Sequence, residues 1–190
     1  MAVAGILLTG GASTRMGWDK ARLRHVGGDE TLARRTARLL AEVAGPCVEV
    51  GPGYSGLPAV EESPPGAGPL AAVARGWEVL AATGRPVLVV ATDLPALGAG
   101  TLRWLADHPA STSVVPVVAG RAQPLCARWC AGDLDRAVAL VAEGHRALRD
   151  LLSAAQPTWV DPGGAGGPGD APFGDADTPA QAHLHGLSLP

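Results

Sequence analysis

Along the chain, apolar and polar positions fall into two kinds of pattern. Val3–Leu8, Val48–Val50, Val87–Thr92 and Val114–Val118 are short, continuous apolar runs rich in β-branched residues. Such runs predict strands buried on both faces. Between them the apolar residues recur at helical period. Leu32, Thr36, Leu39, Leu40 and Val43 mark one face while Arg34, Arg35 and Arg38 point elsewhere. The stretch from Pro69 to Thr83 repeats the pattern with Leu70, Val73, Ala74, Trp77, Leu80 and Ala81, and stops at Gly84, a residue suited to ending a helix. Thr101–Asp107, Leu134–Ala142 and Arg146–Leu152 predict further helices. Strands alternating with helices point to a single α/β domain over residues 1–190, a three-layer sandwich with a mostly parallel sheet covered on both faces. Residues 161–172 (DPGGAGGPGDAP) are rich in glycine and proline and predict a flexible connection. After it, Pro179–Leu184 predicts a short terminal helix with Thr178 as its cap.

Composition narrows the function by exclusion. A chain of 190 residues with 47% hydrophobic and 17% charged residues suits one well-buried domain. Its formal charge of −3 gives no general basic character, so a nucleic-acid partner is not expected and any phosphate binding must be local. The opening MAVAGILLTGG lacks a basic segment and its apolar run stops at Gly10. No apolar stretch approaches membrane-spanning length. A cytoplasmic protein with no membrane partner is the expectation. The three cysteines are an odd number, and the CxxxC spacing of Cys126 and Cys130 fits neither a zinc knuckle nor a redox pair, so they read as free thiols.

The most informative stretch follows the first strand: Leu8-Thr9-Gly10-Gly11-Ala12-Ser13-Thr14-Arg15-Met16-Gly17-Trp18-Asp19-Lys20. A loop leaving a buried parallel strand lies at the carboxyl edge of the sheet, where open α/β folds bind ligands. Gly10 and Gly11 let the backbone approach a ligand and offer unobstructed N–H groups. Arg15 and Lys20 add one forked and one point-like positive charge, a good pairing for a triphosphate. The spacing excludes a Walker A loop, since Gly17 is followed by Trp18 and Asp19, and the GxGxxG dinucleotide fingerprint is absent. A second signal is Val87-Leu88-Val89-Val90-Ala91-Thr92-Asp93-Leu94-Pro95, in which an apolar strand delivers Asp93 to the same edge. A carboxylate there suits Mg²⁺, which takes hard oxygen ligands and is held by one or two carboxylates plus substrate phosphates. An N-cap role for Asp93 is the structural alternative.

The string LTGGASTRMGWDKA resembles the signature Leu-Ala-Gly-Gly-x-Ser-x-Arg-Met-Gly-x-(Asp)-Lys of small nucleotidyltransferases, including the molybdenum cofactor guanylyl- and cytidylyltransferases. Thr9 departs from the usual alanine and is expected to tighten the pocket beside the nucleobase. The resemblance extends from Ile6 to about Pro179. It implies a Rossmann-like fold of the nucleotidyltransferase type and assigns Leu8, Thr9 and Gly10 to base and ribose, Arg15 and Lys20 to phosphates, and Asp93 to the metal. Gly11 belongs to the same nucleotide-binding set. Glu61-Glu62-Ser63-Pro64-Pro65-Gly66-Ala67-Gly68-Pro69-Leu70 is similar to the family's acidic residue before Gly-Pro-Leu-Ala-Gly. This implies a base- or ribose-side contact at Glu62, with Glu61 as the alternative and a solvated loop acid as the structural one. A further family contact after the second strand falls near Gly51, which has no side chain to offer. Gly120-Arg121-Ala122-Gln123-Pro124-Leu125-Cys126-Ala127 resembles the Gly-Arg-x-Gln-Pro-Leu-x-Ala segment of the guanylyltransferases, and implies that Arg121 meets the anionic pterin; a hairpin residue facing water is the other reading. Phe173-Gly174-Asp175-Ala176-Asp177-Thr178-Pro179 is similar to the family's Phe-x-Asn-x-Asn-Thr-Pro, with aspartate in both asparagine positions, and implies a substrate or metal contact at Asp177.

The implied reaction is Mg²⁺-dependent transfer of GMP from GTP to the molybdopterin cofactor, with Arg15, Lys20 and Asp93 as the catalytic set. Proteins of molybdenum insertion or molybdoenzyme maturation are the implied partners. Three other readings stay open from sequence. The same chemistry could use CTP or another phosphorylated acceptor, a non-catalytic nucleotide-binding adaptor could have kept the fold, and an oxidoreductase would share the strand–helix pattern.

Overall fold

The computed structural model describes residues 2–10, 19–176 and 178–188. In chain order the strands are β1 Ala4–Leu8, β2 Arg24–His25, β3 Cys47–Val50, β4 Ala59–Val60, β5 Val87–Ala91, β6 Val114–Val118, β7 Arg121–Ala122, β8 Cys126–Trp129, β9 Thr158–Val160 and β10 Leu187–Ser188. The helices are α1 Leu32–Ala41, α2 Pro69–Leu80, α3 Ala99–Asp107, α4 Ala131–Ala142, α5 Leu148–Ala155 and α6 Pro179–Leu184. The main sheet runs β4-β3-β1-β5-β8-β6-β7, with β9 beside β6, and β2 pairs with β10 in a separate ribbon. All four sequence-predicted strands are present to within a residue at their ends, and each predicted helix is present with its ends shifted by up to three residues.

Burial explains the layers. β1 is buried along its whole length, and its side chains alternate between two cores. Ala4, Ile6 and Leu8 join Val48, Val50, Val87 and Val89 under α2, α4 and α5. Leu7 joins Leu88 and Val90 under α1 and α3 on the other face. Helix α2 comes close enough to β1 that a Cβ at Gly76 would meet Ile6 at 2.9 Å, so that position takes glycine. Past its last turn, three residues of 3-10 helix lead to Gly84, whose φ of 60° and N–H bond to Ala81 end the element where the sequence predicted. Thr178 caps α6 by accepting from the N–H of Gln181. The segment 161–172, expected to be a flexible connection, holds a series of turns closed by backbone bonds from Gly164 to Asp161, Gly167 to Gly164 and Gly169 to Pro162, and runs into a 3-10 turn at Ala171–Phe173.

Sequence patterning missed β2, β4, β7, β8, β9 and β10, and of these β8 is the one inserted between two others of the main sheet. It lies antiparallel between β5 and β6. Its third residue, Arg128, is a charge in the middle of the sheet and only 1% exposed, which breaks the apolar signature of a buried strand. The guanidinium donates to four backbone carbonyls, those of Ala106, His108, Ala110 and Thr112. It therefore closes the end of α3, where a positive charge is favoured by the helix dipole, and fastens the connection into β6. Burial pushes the Arg128 pKa down, and burial together with the Arg128 charge lowers that of His108. Arg128→Leu is expected to lower unfolding stability by about 2–4 kcal/mol, because several buried carbonyls lose their donor at once. Urea denaturation should show this as a lower midpoint with unchanged slope. A midpoint within error of wild type would mean that water replaces the guanidinium.

Candidate active site

The carboxyl ends of β1, β3 and β5 converge because the three strands are parallel neighbours, with Leu8 opposite both Val50 and Ala91. Beyond the last ladder pairs the ends stay tied. The N–H groups of Thr9 and Gly10 donate to Val50 O at 3.1 and 3.4 Å. Thr92 donates to Leu8 O through its N–H at 3.2 Å and its hydroxyl at 3.3 Å. A cavity of about 600 Å³ opens over this edge, within the range of small-ligand sites. Leu8, Thr9, Gly10, Lys20, Glu62 and Asp93 all line it, so six sequence-predicted residues meet in one place. Asp19, Gly51, Glu61 and Leu125 line it as well, as does the start of α2 at Gly68 and Pro69. Arg121 does not. It sits exposed on the β6–β7 hairpin, where it pairs with Val118. Gly11, Arg15 and Asp177 lie outside the described residues.

At one end of the cavity the Lys20 ammonium lies 3.4 Å from Asp93 Oδ2. Lys20 is delivered by a 3-10 turn, Lys20–Arg22, whose cap Asp19 accepts from the N–H of Ala21 at 3.1 Å. Asp93 does not cap a helix: α3 starts at Ala99 behind Gly98, and the Asp93 carboxylate is turned to the cavity. The carbonyl of Asp93 also receives the N–H of Ala176 at 3.0 Å, which brings the C-terminal segment to the same edge. Among the described residues no three His, Cys, Asp or Glu side chains gather as a metal cluster. The donor set at this end, one accessible carboxylate beside a lysine, fits a divalent ion that arrives with a phosphate ligand rather than a resident one. Behind Asp93 the Cys126 thiol is pushed up to about 12 by burial and then by the Asp93 charge, so it stays protonated and inert.

Glu62, also in the lining, has Oε2 shielded from solvent with no hydrogen-bond partner among the described residues, and Oε1 is 3.6 Å from where a Cβ on Gly10 would stand.

Sequence reading missed Glu49, and the only signal for it is a carboxylate interrupting the apolar run of β3. It is fully buried. Oε1 accepts from the Thr9 hydroxyl and from the N–H groups of Gly53 at 2.8 Å and Tyr54 at 2.9 Å. Oε2 accepts from the N–H and hydroxyl of Ser55 at 2.8 and 2.5 Å. The Thr9 hydroxyl thus faces the protein rather than a base. It fills the space in which a Cβ on Gly51 would lie, at 2.2 Å, and Gly51 has a φ of 146°. Burial alone would raise the Glu49 pKa, but the bonds from Ser55, Thr9 and the backbone outweigh it and the net shift is downward.

The lining thus brings together a lysine–carboxylate pair, an acid with one oxygen unpartnered among the described residues and a glycine-rich strand end, and the class that shares this fold is nucleotidyltransferase. The chain belongs to the MobA-like NTP transferase domain family, whose model matches residues 5–158. A Mycobacterium tuberculosis protein named a probable molybdenum cofactor guanylyltransferase is 34% identical over 161 residues, 80% of each chain. The molybdopterin-guanine dinucleotide biosynthesis protein A of Archaeoglobus fulgidus has the same fold, with a TM-score of 0.78 at 16% identity over 96% of both chains. A second Mycobacterium tuberculosis protein, solved in complex with manganese, superposes with a TM-score of 0.63 at 15% identity, over 85% of this chain and 87% of that one. These findings bear out the expected fold class and enzyme class, and they remove the oxidoreductase reading.

A lowered carboxylate pKa stabilises the fold above the unfolded-state value of about 4.3, and that contribution is lost as pH falls through the folded-state value. Glu49→Gln, which turns an amide N–H₂ toward existing donors, should cost about 1–3 kcal/mol at neutral pH. The deficit should shrink on acidification as wild-type Glu49 protonates. A deficit that stayed constant from pH 7 to pH 3 in thermal melts would assign the loss to packing instead.

Proposed function

We propose that this nucleotidyltransferase moves GMP from GTP to the terminal phosphate of molybdenum-molybdopterin, forming molybdopterin guanine dinucleotide and releasing pyrophosphate. The observation that carries the choice of nucleotide is Glu62 Oε2, shielded from solvent and without a hydrogen-bond partner among the described residues. Guanine presents a ring N–H beside an exocyclic N–H₂, two adjacent donors for the two oxygens of one carboxylate. Adenine and cytosine place an acceptor nitrogen beside their amino group, so one oxygen would face a lone pair. Thr9 and Gly10, tied to Val50, form the neighbouring wall of backbone. The name of the Mycobacterium tuberculosis relative supports the same nucleotide and acceptor.

At the phosphate end, Asp93 would hold Mg²⁺, and the manganese bound by a protein of like fold supports a divalent ion there. When bound, the ion neutralises triphosphate charge and polarises the α-phosphate. Lys20 is close enough to Asp93 to move its ammonium onto the phosphates, where it stabilises charge developing on the departing pyrophosphate. Arg15 shares that role by the family signature. The acceptor phosphate oxygen forms a bond to the α-phosphorus as the bond from that phosphorus to the bridging oxygen of pyrophosphate breaks. A phosphate monoester is mostly ionised at pH 7, since its second pKa is about 6, so no strong general base is needed. The protonated Cys126 beside Asp93 agrees with that economy. Arg121 and Asp177 are assigned to the acceptor, and onward delivery to molybdoenzyme maturation proteins in the cytoplasm belongs to the same reading.

With Mg²⁺ present, GTP should protect the fold against heat more than CTP or ATP. A ligand that binds only the native state adds about 2.7 kcal/mol at a hundredfold excess over Kd. Glu62→Ala should erase the preference between nucleotides. A larger melting shift with CTP would replace guanylyl by cytidylyl transfer, and no shift with any nucleotide would favour an adaptor. Lys20→Ala and Asp93→Asn should each lower kcat for pyrophosphate release by about a hundredfold or more while leaving the melting temperature near wild type. Unchanged kcat with a lowered melting temperature would make the Lys20–Asp93 pair a structural one.

A further inference from the structure

The Glu49 carboxylate is the anchor of one wall of the cavity, although it does not line the cavity itself. Five donors from two segments converge on it: the Thr9 hydroxyl from the end of β1, and the amides of Gly53, Tyr54 and Ser55 with the Ser55 hydroxyl from the turn after β3. The two segments meet directly where a Cβ on Gly51 would lie 2.2 Å from the Thr9 hydroxyl and 2.7 Å from Gly10 N. Thr9, Gly10 and Gly51 all face the cavity. Their backbone has no other side chain fixing it among the described residues, because Gly10 and Gly51 carry none. Tyr54 of the same turn has its pKa raised by burial and then by Asp19, the cap of the turn that carries Lys20.

We propose that Glu49 is a positioning residue for nucleotide binding, acting through the Thr9 hydroxyl to hold the Thr9–Gly10 backbone against Gly51. The threonine at position 9 therefore works as a strut between β1 and the β3 turn, and the absence of a side chain at position 51 is what makes room for it. Because the inference rests on reading the cavity as the nucleotide site, it has to be tested against a control on the same carboxylate. Thr9→Val replaces the hydroxyl that bonds Glu49 by a methyl at nearly the same side-chain shape, and leaves Oε1 its two amide donors. Ser55→Ala removes a hydroxyl bond to the same carboxylate on the oxygen away from Thr9, at a residue that does not line the cavity.

Both variants are measured by thermal melting, by titration calorimetry with GTP and CTP in Mg²⁺, and by pyrophosphate release. Thr9→Val should weaken binding of the preferred nucleotide about tenfold and raise KM more than it lowers kcat. Ser55→Ala should change Kd by less than about twofold at a comparable loss of melting temperature. Equal Kd changes in the two variants, or none in Thr9→Val, would overturn the positioning role. A wild-type preference for CTP would sink the guanine assignment alone, since the comparison between variants is then read with CTP. No binding of either nucleotide to wild type would remove the site and this proposal together.

Discussion

The site depends on β1 lying between two parallel neighbours. A strand buried on both faces and hydrogen-bonded on both edges has no freedom to shift, because a one-residue slip would exchange its two cores. With Ile6 committed to one core and Leu7 to the other, the register against β3 and β5 is set, and with it the meeting of three carboxyl ends. Each end then contributes one kind of chemistry. The end of β1 gives exposed backbone, the end of β5 gives Asp93, and the end of β3 gives the turn that braces the first.

Four carboxylates and cations of the interior divide by how full their hydrogen-bonding capacity is. Glu49 and Arg128 are buried charges, and each is surrounded by backbone groups of the opposite polarity. Such groups hold segments together, and their charge is spent internally. Glu62 and Asp93 differ. One keeps a shielded oxygen without a partner, and the other meets a single lysine at 3.4 Å, longer than a good charge-assisted bond. Capacity left open at the wall of a cavity is capacity for a ligand, and both open groups lie in the same cavity.

The family likeness and this reading support each other from different sides. Similarity at 34% identity speaks to the class of reaction and cannot by itself say which side chains touch which part of a nucleotide. The geometry speaks to the side chains. Position 9 illustrates the difference. As a departure from a signature it suggested a tighter base pocket, whereas in the fold its hydroxyl is committed to Glu49.

The sequence by itself determined the strands and helices whose signal is local. Continuous apolar runs, helical periodicity, Gly84 as a terminator and Thr178 as a cap each act within a few residues, and each is where the pattern put it. It also put Asp93 just past the end of an apolar strand, on the edge where the loop leading to Lys20 leaves β1. Only the tertiary structure decided what depends on contacts distant in sequence. Strand β8 was hidden because Arg128 reads as a surface residue until four carbonyls from the α3–β6 connection close around it. The ribbon of β2 with β10 joins residues from opposite ends of the chain, two from each. Arg121 is exposed on the β6–β7 hairpin and outside the cavity lining, a placement that its motif could not give, because a motif fixes order along the chain and not direction in space. Glu49 was legible as a residue and illegible as a strut, since its partner Thr9 is far away in sequence and reaches it only once β1 and β3 are side by side.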